Sequence, residues 1–129
     1  MDGAAPYVIG FRKSEANNAT FANYTDYAAI GMNAGSSVTN IVTMTELNSG
    51  GQTVTDTTDA WGGDGSNNTL RVLVDASGNV TYTINGSAPS ASAAFQFDTP
   101  DVVCPFIHLF HSANPTEVNI TSIKVGYQA

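Results

Sequence analysis

The chain has 129 residues, a length that fits one domain with room for its own core. Charged residues make up 12% of it, about half the share usual in soluble proteins, so the surface polarity falls mainly on Thr, Ser and Asn. Four Lys and Arg stand against eleven Asp and Glu, a net charge of −7. That balance repels nucleic-acid phosphate, and no window approaches the ~18 apolar residues of a membrane span.

Cys104 is the only cysteine, which excludes an intrachain disulfide; its setting, Val-Val-Cys-Pro-Phe, suits a buried thiol. The first residues show no basic segment followed by an apolar stretch, so no secretion signal is visible. The six Asn-x-Ser/Thr sequons, at Asn18, Asn23, Asn67, Asn79, Asn85 and Asn119, are read as products of composition.

Short runs of Val, Ile, Thr, Tyr and Phe recur between Gly, Asn, Asp and Pro clusters, the spacing of an all-β antiparallel sandwich. In the first run, Tyr7 to Lys13, the two-residue strand period puts Tyr7, Ile9 and Phe11 on one face and Arg12 on the other. Gly10 within it marks a close packing point or a bulge. Asp26 to Met32 and Thr39 to Leu47 continue the pattern, and Asn48-Ser49-Gly50-Gly51 reads as a turn into Gln52 to Thr57.

The strongest local signal is a hairpin. Leu70, Val72 and Val74 share one face of its first strand, and Val80, Tyr82 and Ile84 share one face of its second. Asn85-Gly86 closes that strand with residues suited to positive φ. Ala94 to Phe97 reads as a further short strand. The nearly continuous apolar run Cys104 to Phe110 predicts a central strand covered on both faces, and Asn119 to Tyr127 predicts the closing strand.

The densest acidic cluster runs from Asp56 to Asn68. Asp56, Asp59 and Asp64 offer oxygen ligands for a hard cation such as Ca²⁺, although their spacing is not that of an EF-hand loop. The alternative is a solvated, turn-rich loop. Trp61 in the same stretch offers a flat face to a sugar ring, with Asp59, Asp64 and Asn67 as polar company, or else packs back on the core edge. His108 and His111 lie three apart on an extended segment and so point to opposite faces, which keeps them from gripping one metal. Glu15, Glu46 and Glu117 are isolated, no strand carries the paired carboxylates of a glycosidase, and no nucleophile elbow appears. These residues predict binding or assembly rather than catalysis.

The stretches Tyr7 to Lys13, Thr55 to Trp61, Leu-Arg-Val-Leu-Val-Asp with Gly-Asn-Val-Thr-Tyr-Thr-Ile-Asn-Gly, and Ile123 to Gln128 resemble concanavalin A-like (laminin G-like) jelly-roll domains. More narrowly, they resemble the small versions encoded among virion-structure genes of tailed bacteriophages, marine and cyanobacterial ones in particular. The resemblance implies one jelly-roll domain over residues 1–129, made in the host cytoplasm and carried on the capsid surface as a decoration or cement protein. Its implied partners are the major capsid protein and further copies of itself; a non-catalytic, lectin-like glycan-binding module is the alternative. Domains of this kind have strands before the equivalent of Tyr7. The sandwich is therefore expected to be abbreviated at its N-terminal edge or completed by a neighbour, with Tyr7 and Val8 on an edge strand as the partner contact.

Overall fold

A computed structural model of the chain describes residues 7–32, 39–62, 66–110 and 118–126. Among these residues seven strands form two antiparallel sheets: β1 (Tyr7–Lys13), β2 (Tyr27–Met32), β3 (Asn40–Glu46), β4 (Thr53–Ala60), β5 (Leu70–Val74), β6 (Val80–Ile84) and β7 (Val103–Leu109). The large sheet has the order β4-β3-β2-β1-β7, and the small one is the hairpin β5-β6. One 3₁₀ turn, Phe21–Asn23, interrupts the β1–β2 connection. The fold is an all-β arrangement consistent with a sandwich, and none of its described helices is long and apolar enough to cross a membrane.

The two-residue period sorts the large sheet's side chains between two cores. On the inner face, Ala28, Ile30, Met32 and Ile41 meet Val80, Tyr82, Ile84 and Phe97, and Tyr7, Ile9, Phe11, Leu70, Val72 and Val74 pack around them. On the outer face, Val8, Tyr27, Ala29, Val42 and Met44 are covered by Phe21 and Tyr24. Burying each large apolar side chain is worth about 1.5–3 kcal/mol, so the β1–β2 connection acts as a second layer.

Arg12 pins that layer. Its guanidinium donates to the carbonyls of Lys13 and Glu15 at 3.0 and 3.2 Å and to Asn17 Oδ1 at 2.8 Å, and it lies 4.5 Å from the Tyr24 ring centre. A buried cation is tolerable only when its donors are occupied in this way.

The expectation of an N-terminal edge strand is overturned. β1 lies between two neighbours, Tyr7 opposite both Met32 and Leu109, and Val8 opposite both Gly31 and His108. Val8 is fully buried, because the β1–β2 connection folds over it. The edges of the large sheet are β4 and β7 instead.

Further expectations are corrected as well. The run ending in Phe110 forms the edge strand β7, not a covered central one, and Cys104 on it is half-buried. The acidic stretch from Asp56 to Ala60 belongs to strand β4, not to a loop. Of the expected closing strand, Asn119 to Tyr127, the described residues 119–126 join neither sheet, Tyr127 lying outside the described residues, and Ala94 to Phe97 contributes only an isolated bridge between Gln96 and Asn79.

Candidate functional site

β4 carries the acidic residues singled out in the sequence. Its register with β3 shifts between Asn40 opposite Ala60 and Val42 opposite Asp56, a bulge in which Thr58 takes φ 64°. A β-branched residue rarely adopts that conformation, and local hydrogen bonds hold it there. Thr58 N donates to Asp56 Oδ1 at 2.8 Å, Asp59 N to Thr57 Oγ1 at 3.2 Å, and Thr57 Oγ1 to the Ile41 carbonyl at 2.6 Å.

Asp56 also accepts from Asn40 Nδ2 at 3.0 and 3.2 Å. Asp59 accepts from Ser90 N at 2.8 Å and Ser90 Oγ at 2.7 Å, and these bonds, the backbone one foremost, hold its carboxyl below the usual range. Asp56 thus holds the bulge of β4 to the start of β3, and Asp59 ties the segment around Ser90 to the sheet edge. Among the described residues no group of three or more His, Cys, Asp or Glu is placed to hold a metal ion; Asp64 lies outside the described residues.

Trp61 turns back onto the inner core, its ring edge-to-face with Tyr7 at 5.6 Å and 78°. Its carbonyl accepts from Asn68 Nδ2 at 2.7 Å. Asn67 nearby is exposed. The structure therefore brings Asp59 and Trp61 to one end of the sandwich but gives the indole a packing role at the mouth of the core.

The remaining charges serve the fold in a similar way. Lys13 Nζ lies 2.7 Å from Asp101 Oδ1 and 3.7 Å from Asp26 Oδ2, joining the end of β1 to the segment before β7. Burial works to raise the Asp26 pKa, but hydrogen bonds from Thr25 and from Asn48 N, with the Lys13 charge, outweigh it and hold the carboxyl low. A small pocket between the β5–β6 turn and residues 97–103 is lined by Asp75, Asp98 and Asp101. Asp75 accepts from Ser77 N and Asn79 N at 2.8 and 2.9 Å, and Asp98 from Asn48 Nδ2 at 2.6 Å. Glu15 binds Thr25 N at 2.9 Å, Glu46 accepts from the Tyr27 hydroxyl at 3.1 Å, and Glu117 and His111 lie outside the described residues.

The feature that sequence reasoning missed is apolar. Antiparallel partners share a face, so Ile107 stands beside Ile9 and Leu109 beside Tyr7 on the inner side of the large sheet. β5 packs over β1 and β2, and the inner face of β7 extends past the small sheet. Ile107 is 40% exposed and Leu109 61%. The apolar residues of segment 118–126 are also in water, with Ile120, Ile123 and Val125 53%, 59% and 66% exposed. An isolated exposed Leu needs no explanation, but a run of them marks a contact surface. The clue was present in β7, where Pro105, Ile107 and Leu109 alternate with Cys104, Phe106 and His108; reading it required knowing that no second sheet covers one side.

No protein-family profile, curated protein or solved structure matches this chain.

Proposed function

We propose that the chain is a structural protein of a bacteriophage virion, a concanavalin A-like jelly roll that decorates the head and cements neighbouring capsid subunits. It acts by contact rather than by chemistry. The observation that carries this reading is the exposure of large apolar side chains, Ile107 and Leu109 on β7 and Ile120, Ile123 and Val125 in segment 118–126. Apolar surface costs roughly 25 cal/mol for each Å² left in water, so a protein that keeps such side chains exposed gains by covering them against a partner.

The chemistry of the acidic residues agrees with this reading. Asp56, Asp59, Asp75 and Asp98 accept hydrogen bonds from their own loops and edges, which stiffens the frame that presents the apolar surface.

The test is direct. Purified chain is mixed with heads assembled without it, from the phage whose genome carries the gene, and the mixture is sedimented. Saturable co-sedimentation and a higher temperature for head disruption are expected, and Leu109→Asp should weaken both at least tenfold. Heads that neither retain the chain nor gain heat resistance would sink the proposal.

A further inference from the structure

The chain contains one Asn-Gly pair, Asn85-Gly86, at the tip that follows β6. Asparagine is a chemically labile residue, because the main-chain nitrogen of the next residue can attack its Cγ. A glycine in that place, without a Cβ, leaves the approach open. Gly86 is exposed, and a Cβ built on it would meet nothing within 4 Å. Its N–H has no partner among the described residues, so crowding does not protect the pair.

Protection comes from the way the turn is held. Ile84 N donates to the Ser87 carbonyl at 2.8 Å and Ser87 N to the Ile84 carbonyl at 3.0 Å, with Asn85 and Gly86 between them at φ 53° and 87°. This is the two-residue hairpin turn that Asn-Gly favours. Asn85 then faces Thr69, one residue beyond the pairing of Leu70 with Ile84. Its N–H donates to the Thr69 carbonyl at 2.8 Å, and the return bond, from Thr69 N at 2.8 Å, goes to the side-chain Oδ1. Attack needs Cγ turned onto the Gly86 nitrogen, and an amide tied to Thr69 is not free to turn.

The same amide heads a relay. Asn85 Nδ2 donates to Asn68 Oδ1 at 3.0 Å, and Asn68 Nδ2 to the Trp61 carbonyl at 2.7 Å. A donor, the Thr69 N–H, stands at one end and an acceptor, the Trp61 carbonyl, at the other, which fixes the direction of both side-chain amides. An aspartate at 85 has no proton to give Asn68. If Asn68 turned its Nδ2 towards that carboxylate, its Oδ1 would face the Trp61 carbonyl, acceptor against acceptor. Replacing one NH₂ by an oxygen therefore breaks the link between the hairpin tip and the residue that follows β4.

We propose that Asn85 is a site of spontaneous deamidation, held back by this turn, whose conversion unties Trp61 from the hairpin. The Gly86 nitrogen bonds to Asn85 Cγ and the Cγ–Nδ2 bond breaks. The proton lost by Gly86 N is returned through water to the leaving Nδ2, which departs as ammonia. Water then adds to the cyclic imide and opens it at either carbonyl, leaving aspartate or isoaspartate and one more negative charge. No oxidant or reductant takes part. The reaction proceeds from the opened turn, and local opening of this kind occurs far more often than global unfolding.

The experiment uses the full chain in three forms: wild type, Asn68→Ala and Asn85→Asp. During incubation in mildly alkaline buffer, peptide mapping by mass spectrometry follows amide loss and isoaspartate at each asparagine, with Asn48, which precedes Ser49, as the reference for general unfolding. In urea wild type should convert at Asn85 first; in native buffer the same site should convert at least about tenfold more slowly. Asn68→Ala frees one end of the amide and should speed the native reaction at Asn85 several-fold, with Asn48 unchanged. Trp61 is the only tryptophan, so its fluorescence reads the relay: Asn85→Asp should shift the emission, and aged wild type should move towards the same spectrum.

Equal rates at Asn85 in urea and in native buffer, or a native rate untouched by Asn68→Ala, would remove the protection and overturn the proposal. An Asn85 that keeps its amide throughout the native incubation overturns it too. If Asn68→Ala speeds Asn48 as much as Asn85, the cause is general loosening and the relay has no part in it. An emission spectrum of Asn85→Asp identical to that of wild type would show that the relay does not hold Trp61, with the same result.

Discussion

Tyr82 projects into the inner core between Ala28, Ile30 and Met32, its hydroxyl buried and without a hydrogen-bond partner among the described residues. Burial pushes its pKa up, and the same desolvation works against the folded state. Tyr82→Phe is therefore expected to stabilise the protein by about 1 kcal/mol, read as a higher urea midpoint at unchanged slope. A loss of stability would mean that the hydroxyl is satisfied in solution. His108 gives a prediction with the opposite dependence on polarity. It sits 5.0 Å from Phe21 and 4.9 Å from Phe110, and burial holds its pKa below the ordinary histidine value. As pH falls through about 6.5 the unfolded chain takes up the proton first, so the contribution of neutral His108 is full above that pH and is lost below it. His108→Gln should flatten the fall in Tm between about pH 7 and pH 5; an unchanged slope would place the titration elsewhere.

Gly10 and Gly31 show how tightly elements are joined. A Cβ on Gly10 would collide with the Ala28 carbonyl oxygen and lie 2.7 Å from the Ala29 Cα; one on Gly31 would meet the Tyr7 carbonyl and lie 2.9 Å from the Val8 Cα. The obstacles are backbone atoms of the paired strand, which cannot swing aside. Gly10→Ala should thus cost about 3 kcal/mol or more, measured by chemical denaturation, and a cost under about 1 kcal/mol would mean that β1 and β2 part easily. The sequence reading of Gly10 as a close packing point or a bulge came from its place within a strand pattern, and the unbroken register with β2 decides for close packing. The hairpin was equally legible: Val80, Tyr82 and Ile84 are buried, and Asn85 and Gly86 take φ 53° and 87°. β4 was not legible, because Thr-Val-Thr-Asp-Thr-Thr-Asp-Ala alternates little in hydrophobicity and its bulge breaks the period. β7 misled in the other direction. Its unbroken apolar run reflects an outer face packed under Phe21 and an inner face that is apolar but uncovered.

At the scale of the molecule, the large sheet has two covered faces and unequal cover. The β1–β2 connection, anchored by Arg12, closes the outer face, while the β5–β6 hairpin closes only part of the inner one. Ile107, Leu109, Ile123 and Val125 contribute little to either core in the single copy, so charges there alter association before they alter folding. The neighbours of Asp56 and Asp59 could not be foreseen from the sequence. Ser90 is 31 residues from Asp59 and Asn40 is 16 from Asp56, and these partners, reached only through the fold, engage the carboxylates.

By itself the sequence determined that the chain is built of antiparallel strands, which residues of β1, β5 and β6 share a face, and where the 85–86 turn falls. Each of these follows from local rules, the two-residue side-chain period and the φ preferences of Asn and Gly. Only the tertiary structure decided that β1 is interior, that β4 and β7 are the edges, and that Ile107 and Leu109 on β7 stay exposed. Strand order arises from pairings between segments far apart in sequence. β1 meets β7 across 90 residues at Lys13 and Val103 and 102 at Tyr7 and Leu109, and no local periodicity encodes which strand lies beside which.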